Sequence, residues 1–320
     1  MITFLGDVAL LNDNVVSKYV PQTDYVFNFE YTVYNKEFIP TLGKINLCSS
    51  NIDFGSVFGK KPVAVCVANN HMLDYGEKGY DETRNAISAS GIQTIGDRVY
   101  WYDDKTCILA YSQYCGALDG VDFFSFSKGR ALNEINDARE KGANSIIVNM
   151  HWGIENYALN TKEQKELGHW LIDNGVDVVI GHHPHCIQPI EKYKGHFIFY
   201  SLGNCIFPSF NVDSHYNTAG ISTRKYRFNW RSWNNVGLAI IFDNETNNLK
   251  SIDVLKFNHN KLYLKKENVS VKEFVNMGKM NTSLAKLQFA FRKYWLFFIS
   301  NFCVDGKLFD INALKFELRK

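Results

Sequence analysis

The chain lacks a dominant charge of either sign. Its 35 Lys and Arg against 33 Asp and Glu leave a net charge of +2, so the electrostatic footprint of a nucleic-acid binder is missing. It also lacks paired cysteines. Cys48, Cys66, Cys107, Cys115, Cys186, Cys205 and Cys303 are odd in number and form no CxxC. Several lie in apolar runs such as Val63-Ala-Val-Cys-Val67, which reads as reduced, buried small hydrophobes in a reducing compartment. No basic n-region with a long apolar h-region opens the chain, and no run is long enough to span a bilayer. The expectation is a cytoplasmic protein. Internal repeats and low-complexity segments are absent too.

What is present is ordinary globular material. The 320 residues are 46% hydrophobic and 21% charged, enough for one large α/β domain with an appendage or for two domains. The division expected is a domain over 1–258 and a helical, aromatic-rich extension over 259–320. The 24 Phe, 17 Tyr and 6 Trp are a heavy load, some of which should line a surface or groove.

Short apolar runs alternate with helical stretches, the pattern of a parallel-sheet α/β protein. Strands are expected at Ile2 to Leu5, Val63 to Val67, Cys107 to Tyr111, Ser145 to Met150, Asp177 to Ile180 and Phe197 to Tyr200. Helices are expected at Tyr80 to Ser90, Ala131 to Lys141 and Thr161 to Asn174. Gly91, Gly142 and Gly175 follow these helices as left-handed caps, and Thr161 with Gln164 forms a capping box. From Asn211 to Asn235 the chain is polar and aromatic without period, as in a long loop or excursion. A hairpin follows over Leu238 to Asp243 and Leu249 to Phe257.

Polar residues of metal-ligand type stand where the apolar strands end. Ile2 to Leu5 runs into Gly6-Asp7, and Val63 to Val67 into Asn69-Asn70-His71. Ser145 to Met150 runs into His151-Trp152-Gly153-Ile154-Glu155, and Asp177 to Ile180 into Gly181-His182-His183-Pro184-His185. Ligands in open α/β sheets bind beyond the carboxyl ends of the strands. His183 and His185, two apart across Pro184, would share a side if that segment is extended. Carboxylate, amide and imidazole donors without cysteine suit Mn, Fe or Zn.

These blocks resemble the calcineurin-like metallophosphoesterases, and within them the CapA-like capsule and poly-γ-glutamate synthesis branch. The resemblance rests on Asn28-Phe29-Glu30, on Asn69-Asn70-His71 continuing to Asp74-Tyr75-Gly76, on His151-Trp152-Gly153 with Glu155, and on Ser201-Leu202-Gly203-Asn204. It covers roughly residues 1 to 210. It implies a four-layer α/β/β/α sandwich with two mixed sheets, two divalent metal ions, and hydrolysis of a phosphoester, glycan or polyglutamate substrate. Asp7, Glu30 and His185 would hold the first metal, with Glu30 bridging, and Asn70, His151 and His183 the second. His71 would serve as the acid or cation facing the leaving group.

Around these, Asp74 is expected to orient His71 or cap the next helix, and Glu155 to orient His151 or lie at a loop surface. Asn28 is expected to position water or substrate or to serve as a turn residue, and Trp152 to stack on a sugar or cap the core. Asn204 should organise the nearby loop, within reach of substrate. His182 is open between a structural role and ligation. Ala9 stands where phosphoesterases usually have a histidine, and Glu30 where they have aspartate, both as in the capsule branch. Two further readings remain open: a non-catalytic capsule-assembly component with a partial metal site, and a metal-dependent amide hydrolase of a γ-glutamyl polymer. The segment 284–302 has amphipathic spacing suited to packing, a subunit contact or a membrane surface.

Overall fold

The computed structural model describes residues 1–33, 39–42, 44–114, 124–216 and 222–267. Two mixed sheets carry the α/β fold. The larger has nine strands, with Ile2–Val8 near its middle. Asp24–Phe29, Ala64–Cys66 and Gln93–Ile95 extend it in parallel on one side, and Val236–Asp243, Asn248–Asn258 and Tyr263–Glu267 extend it antiparallel on the other. In the six-stranded sheet Thr106–Ser112, Ser145–His151, Val178–His182 and His196–Phe199 run parallel. Antiparallel strands Tyr100–Asp103 and Ile190–Tyr193 close its edges.

Alternation along the strands assigns the layers, because successive side chains leave opposite faces. Ile147 joins a core shared with Phe4, Val26 and Ala64 of the larger sheet. Its neighbours Ile146 and Val148 face the other way, onto Ala131 and Ile135 of the helix Lys128–Glu140 and Leu167 and Leu171 of the helix Lys162–Asp173. Each such Leu contributes roughly 1.5–3 kcal/mol by burial. The third long helix, Gly76–Ala89, places Tyr80 and Ile87 in the core shared by the sheets. Among the described residues no helix is long and apolar enough to cross a membrane.

The local signals are borne out. Thr161 and Gln164 make both bonds of a capping box, and Gly91, Gly142 and Gly175 have φ of 76°, 95° and 98°. Two expectations change. The stretch after Pro208 is a two-stranded antiparallel hairpin, Phe210–Tyr216 with Ser222–Phe228, rather than a long loop. Backbone pairing holds it, which leaves no period-two trace in polar side chains. The larger sheet also continues past 258 through Tyr263–Glu267, within the span expected to be helical extension. The segment 284–302, together with Cys115 and Cys303, lies outside the described residues. The remaining five cysteines are unpaired.

Two glycines let the backbone close up around the strand ends. A Cβ on Gly6 would stand 1.9 Å from the Gly203 carbonyl oxygen, and one on Gly181 would stand 2.0 Å from that of Tyr200. The segment Ser201–Ile206 is thereby held against both sheets: Asp7 N donates to Gly203 O at 2.9 Å, and Leu202 N to Gly181 O at 3.0 Å.

Candidate metal centre

The strand register slips between Leu5 and Asp7, a bulge at Gly6. Bulges re-aim the following side chain, and here that side chain is the fully buried Asp7 carboxylate. Asn28, opposite Asp7 on the next strand, donates from Nδ2 to Asp7 Oδ1 at 2.9 Å and to Glu30 Oε1 at 2.5 Å. Asn69 donates in turn to Asn28 Oδ1 at 3.2 Å and to the Phe29 carbonyl at 2.8 Å. Asn28 therefore ties the two acids together. This sets the turn role aside.

The imidazoles arrive from the other sheet. His182 Nδ1 lies 3.0 Å from Asp7 Oδ1, and His182 Nε2 3.3 Å from Asn149 Oδ1. His185 Nδ1 lies 3.2 Å from Asp7 Oδ2 and 2.9 Å from Asn204 Oδ1, while its Nε2 is 3.6 Å from Glu30 Oε2. Asn204 thus holds the His185 ring. His151 Nε2 meets Asn70 Oδ1 at 2.8 Å, and the His151 and His183 rings are 4.6 Å apart. All six residues expected as metal ligands converge.

The His183-Pro184-His185 segment is not extended. His183 has φ 93° and His185 φ 54°, a tight turn in the left-handed region that costs of order 1–3 kcal/mol per residue. The turn keeps the two rings 6.1 Å apart, centre to centre. Trp152 is fully buried in the core against the outer helices, its Nε1 donating to the Tyr200 carbonyl at 2.8 Å. Of its two readings it caps the core, and it presents no face to a sugar. Ala9 is likewise fully buried in the core between the sheets.

Burial and charge set the protonation of the cluster. Burial alone would raise Asp7, but hydrogen bonds from His182 and His185 outweigh it and hold the carboxyl well below its usual range. Burial, then the Asp7 charge, push Glu30 well above its usual range. Burial keeps His151 well below the ordinary imidazole value and takes His183 down to about 4. His185 goes the other way: burial opposes its charge, yet Glu30 and Asp7 push it up to about 10. Protons on Glu30 and His185 thus compensate the buried acids, and a cation could replace them.

The donor set fits a divalent metal. Asp7 Oδ2 and Glu30 Oε2 are buried and face the His185 ring at 3.2 and 3.6 Å, and His183 Nδ1 is buried and takes part in no hydrogen bond among the described residues, an arrangement costly to leave unmet. Ligand atoms of Asp7, Glu30 and His185 lie within 4.8 Å of one another, and so do those of Glu155, His183 and His185.

Beside this cluster sits a proton-handling arm. His71 Nδ1 donates to Asp74 Oδ2 at 2.7 Å, and the same oxygen accepts from Leu47 N at 2.6 Å. Asp74 orients His71, as expected. Sequence reading missed Lys44, whose Nζ pairs with Asp74 Oδ1 and donates to the Asn70 carbonyl. Nothing near Lys44 in the sequence marks it, and only the fold brings it to Asp74. Part of the aromatic load gathers here as well: Phe207 and Trp230 pack on the His185 ring at 5.2 and 4.9 Å.

The chain is similar to known proteins. The chain is 31% identical over 217 residues to the capsule biosynthesis protein CapA of Bacillus anthracis, covering 60% of this chain and 52% of that protein. It is 29% identical over 205 residues to the PGA biosynthesis protein CapA of Bacillus subtilis, covering 58% and 53%. A probable polyglutamine synthesis accessory protein of Mycobacterium tuberculosis is 26% identical over 172 residues, covering 46% and 45%. The chain spans about half the length of these curated relatives. Residues 14–209, which carry the acid, asparagine and histidine blocks except Asp7, match the family model described as bacterial capsule synthesis protein PGA_cap, and the chain belongs to that family.

Proposed function

We propose that the chain is a metal-dependent, phosphoester-hydrolase-like protein acting in capsule or poly-γ-glutamate synthesis. The layers support a four-layer α/β/β/α sandwich of the metallophosphoesterase kind, with the site at the seam between its sheets. The observation that carries this reading is the buried Asp7–Glu30–His185 cluster, two acids and an imidazole whose ligand atoms lie within 4.8 Å of one another.

Asp7, Glu30 and His185 would hold one ion and Asn70, His151 and His183 the other. A bound pair would lower the pKa of a water toward about 7 and clamp an in-line displacement. The chain's own residues prepare that chemistry. Asn28 fixes the spacing of the acids, and His182 and Asn204 fix the orientation of Asp7 and His185, as outer partners of ligands commonly do. With Asp74 accepting its Nδ1–H, His71 keeps Nε2 for handing a proton to a leaving group.

The test is metal content measured together with hydrolysis of phosphomonoesters, phosphodiesters and γ-glutamyl amides. Wild type should carry Mn, Fe or Zn and cleave a phosphoester. The double variant His183→Ala, His185→Ala should lose most of the metal and all turnover while keeping its circular dichroism. Unchanged metal content in that variant would sink the site assignment. Cleavage confined to γ-glutamyl amides would overturn the reaction class and leave the metal site standing.

A further inference from the structure

We infer that Glu155 is itself a metal ligand, the carboxylate that completes the site of the ion held by Asn70, His151 and His183. The inference rests on the metal-site reading above and adds a residue to it. Ligand atoms of Glu155, His183 and His185 lie within 4.8 Å of one another. Two atoms bound to one tetrahedral zinc-like ion stand about 3.4 Å apart, so a movement of up to about 1.4 Å brings Glu155 and His183 onto one ion. Glu155 is exposed while both histidines are buried, so the movement falls on the Glu155 side chain.

Three further observations point the same way. His183 Nδ1 is buried and meets no hydrogen-bonding partner among the described residues, the state of a nitrogen kept for something else. The loop bearing Glu155 is also stitched to the histidine turn: Asn156 N donates to the Pro184 carbonyl at 2.8 Å, and Trp152 N to that of His182 at 3.2 Å. Asn234 clamps both, donating to Asn156 Oδ1 at 2.9 Å and to the His185 carbonyl at 2.8 Å. The approach of Glu155 to the histidines is therefore built by backbone. Charge supplies the last argument. Asn70, His151 and His183 are neutral donors, so a divalent ion among them would have the bridging Glu30 as its one shared counter-charge, and a buried charge left incompletely paired is costly. Glu155, like Asp7, is a carboxylate whose charge bears on both His183 and His185.

Cobalt(II) alone is the probe, titrated into metal-free full-length protein and followed by calorimetry and by its visible absorption. Wild type should bind at two sites. Glu155→Gln, which keeps the shape and removes the charge, should weaken one site by at least about 100-fold, beyond what removal of an outer partner costs. The other site should keep its affinity, and the absorption of the weakened site should change. If Glu155→Gln lowers the melting temperature, Glu155→Asp decides, with the same site weakened at an unchanged melting temperature. Two sites within twofold of wild type in both variants would overturn the role of Glu155 alone. Wild type that binds no cobalt would overturn this inference and the metal-site reading together.

Discussion

Asp7, Asn28, Glu30, Asn70 and His71 leave the ends of strands in the nine-stranded sheet, whereas His151, His182, His183 and His185 leave the six-stranded sheet. The first half brings both buried acids, and the second brings most of the imidazoles. Burial acts on the two halves in opposite senses, because it disfavours the charged form of each. Glu30 is driven to hold its proton, while His151 and His183 are driven to shed theirs. His185, wedged among the acids, is driven the other way and holds its proton. The division teaches that the seam is short of positive charge on the acid side and already set for ligation on the imidazole side.

The largest break in that comparison should come from His71, which sits on the acid side without belonging to the ligand set. His71→Asn should leave metal content unchanged and reduce turnover by about 10² to 10⁴, the range for loss of a general acid. Parallel steady-state kinetics and metal analysis check this. Loss of both together would place His71 among the ligands.

A change of pH should sharpen the contrast. Metal binding needs His185 neutral and Glu30 ionised, and both carry raised pKa values in the metal-free protein, His185 about 10. Ions therefore displace protons from the acid side, and affinity should rise with pH by roughly tenfold per unit for each proton released. His183 titrates near 4 and so adds no slope above about pH 5. Calorimetry at pH 7 in two buffers of different ionisation enthalpy counts the protons. A count of zero would contradict the assignment of charge to the acid side.

The smallest effect tests whether the outer helices matter to the seam. Thr161→Ala removes the capping box of the helix Lys162–Asp173 and should cost about 1 kcal/mol of stability. Chemical denaturation measures the loss, and metal affinity should not move.

Legibility in the sequence followed the physics of each feature. The central strands were readable because burial on both faces leaves continuous apolar runs that stop abruptly at polar residues. The strand Asp24–Phe29 escaped, since Asp24 and Asn28 interrupt its apolar character; only its closing Asn28-Phe29-Glu30 was noticed. Ligand types were legible from strand ends, whereas the roles of their supporters were not. Asn28, Asn204 and Lys44 act through contacts across 19 to 30 residues of sequence, which no local spacing encodes. The turn at His183 and His185 was misjudged because left-handed φ at a histidine is rare enough that an extended segment was the natural expectation.

The close backbone approaches at Gly6 and Gly181 set how this site can drift over generations. Ligand side chains can be exchanged one at a time, each exchange altering affinity locally. A single methyl at either glycine meets a carbonyl oxygen at about 2 Å and would wedge the segment Ser201–Ile206 away from one sheet, spreading the two halves of the seam apart. Variation in a mutational scan should therefore be tolerated more readily at several of the proposed ligand positions than at these two glycines, which offer no ligand atom at all.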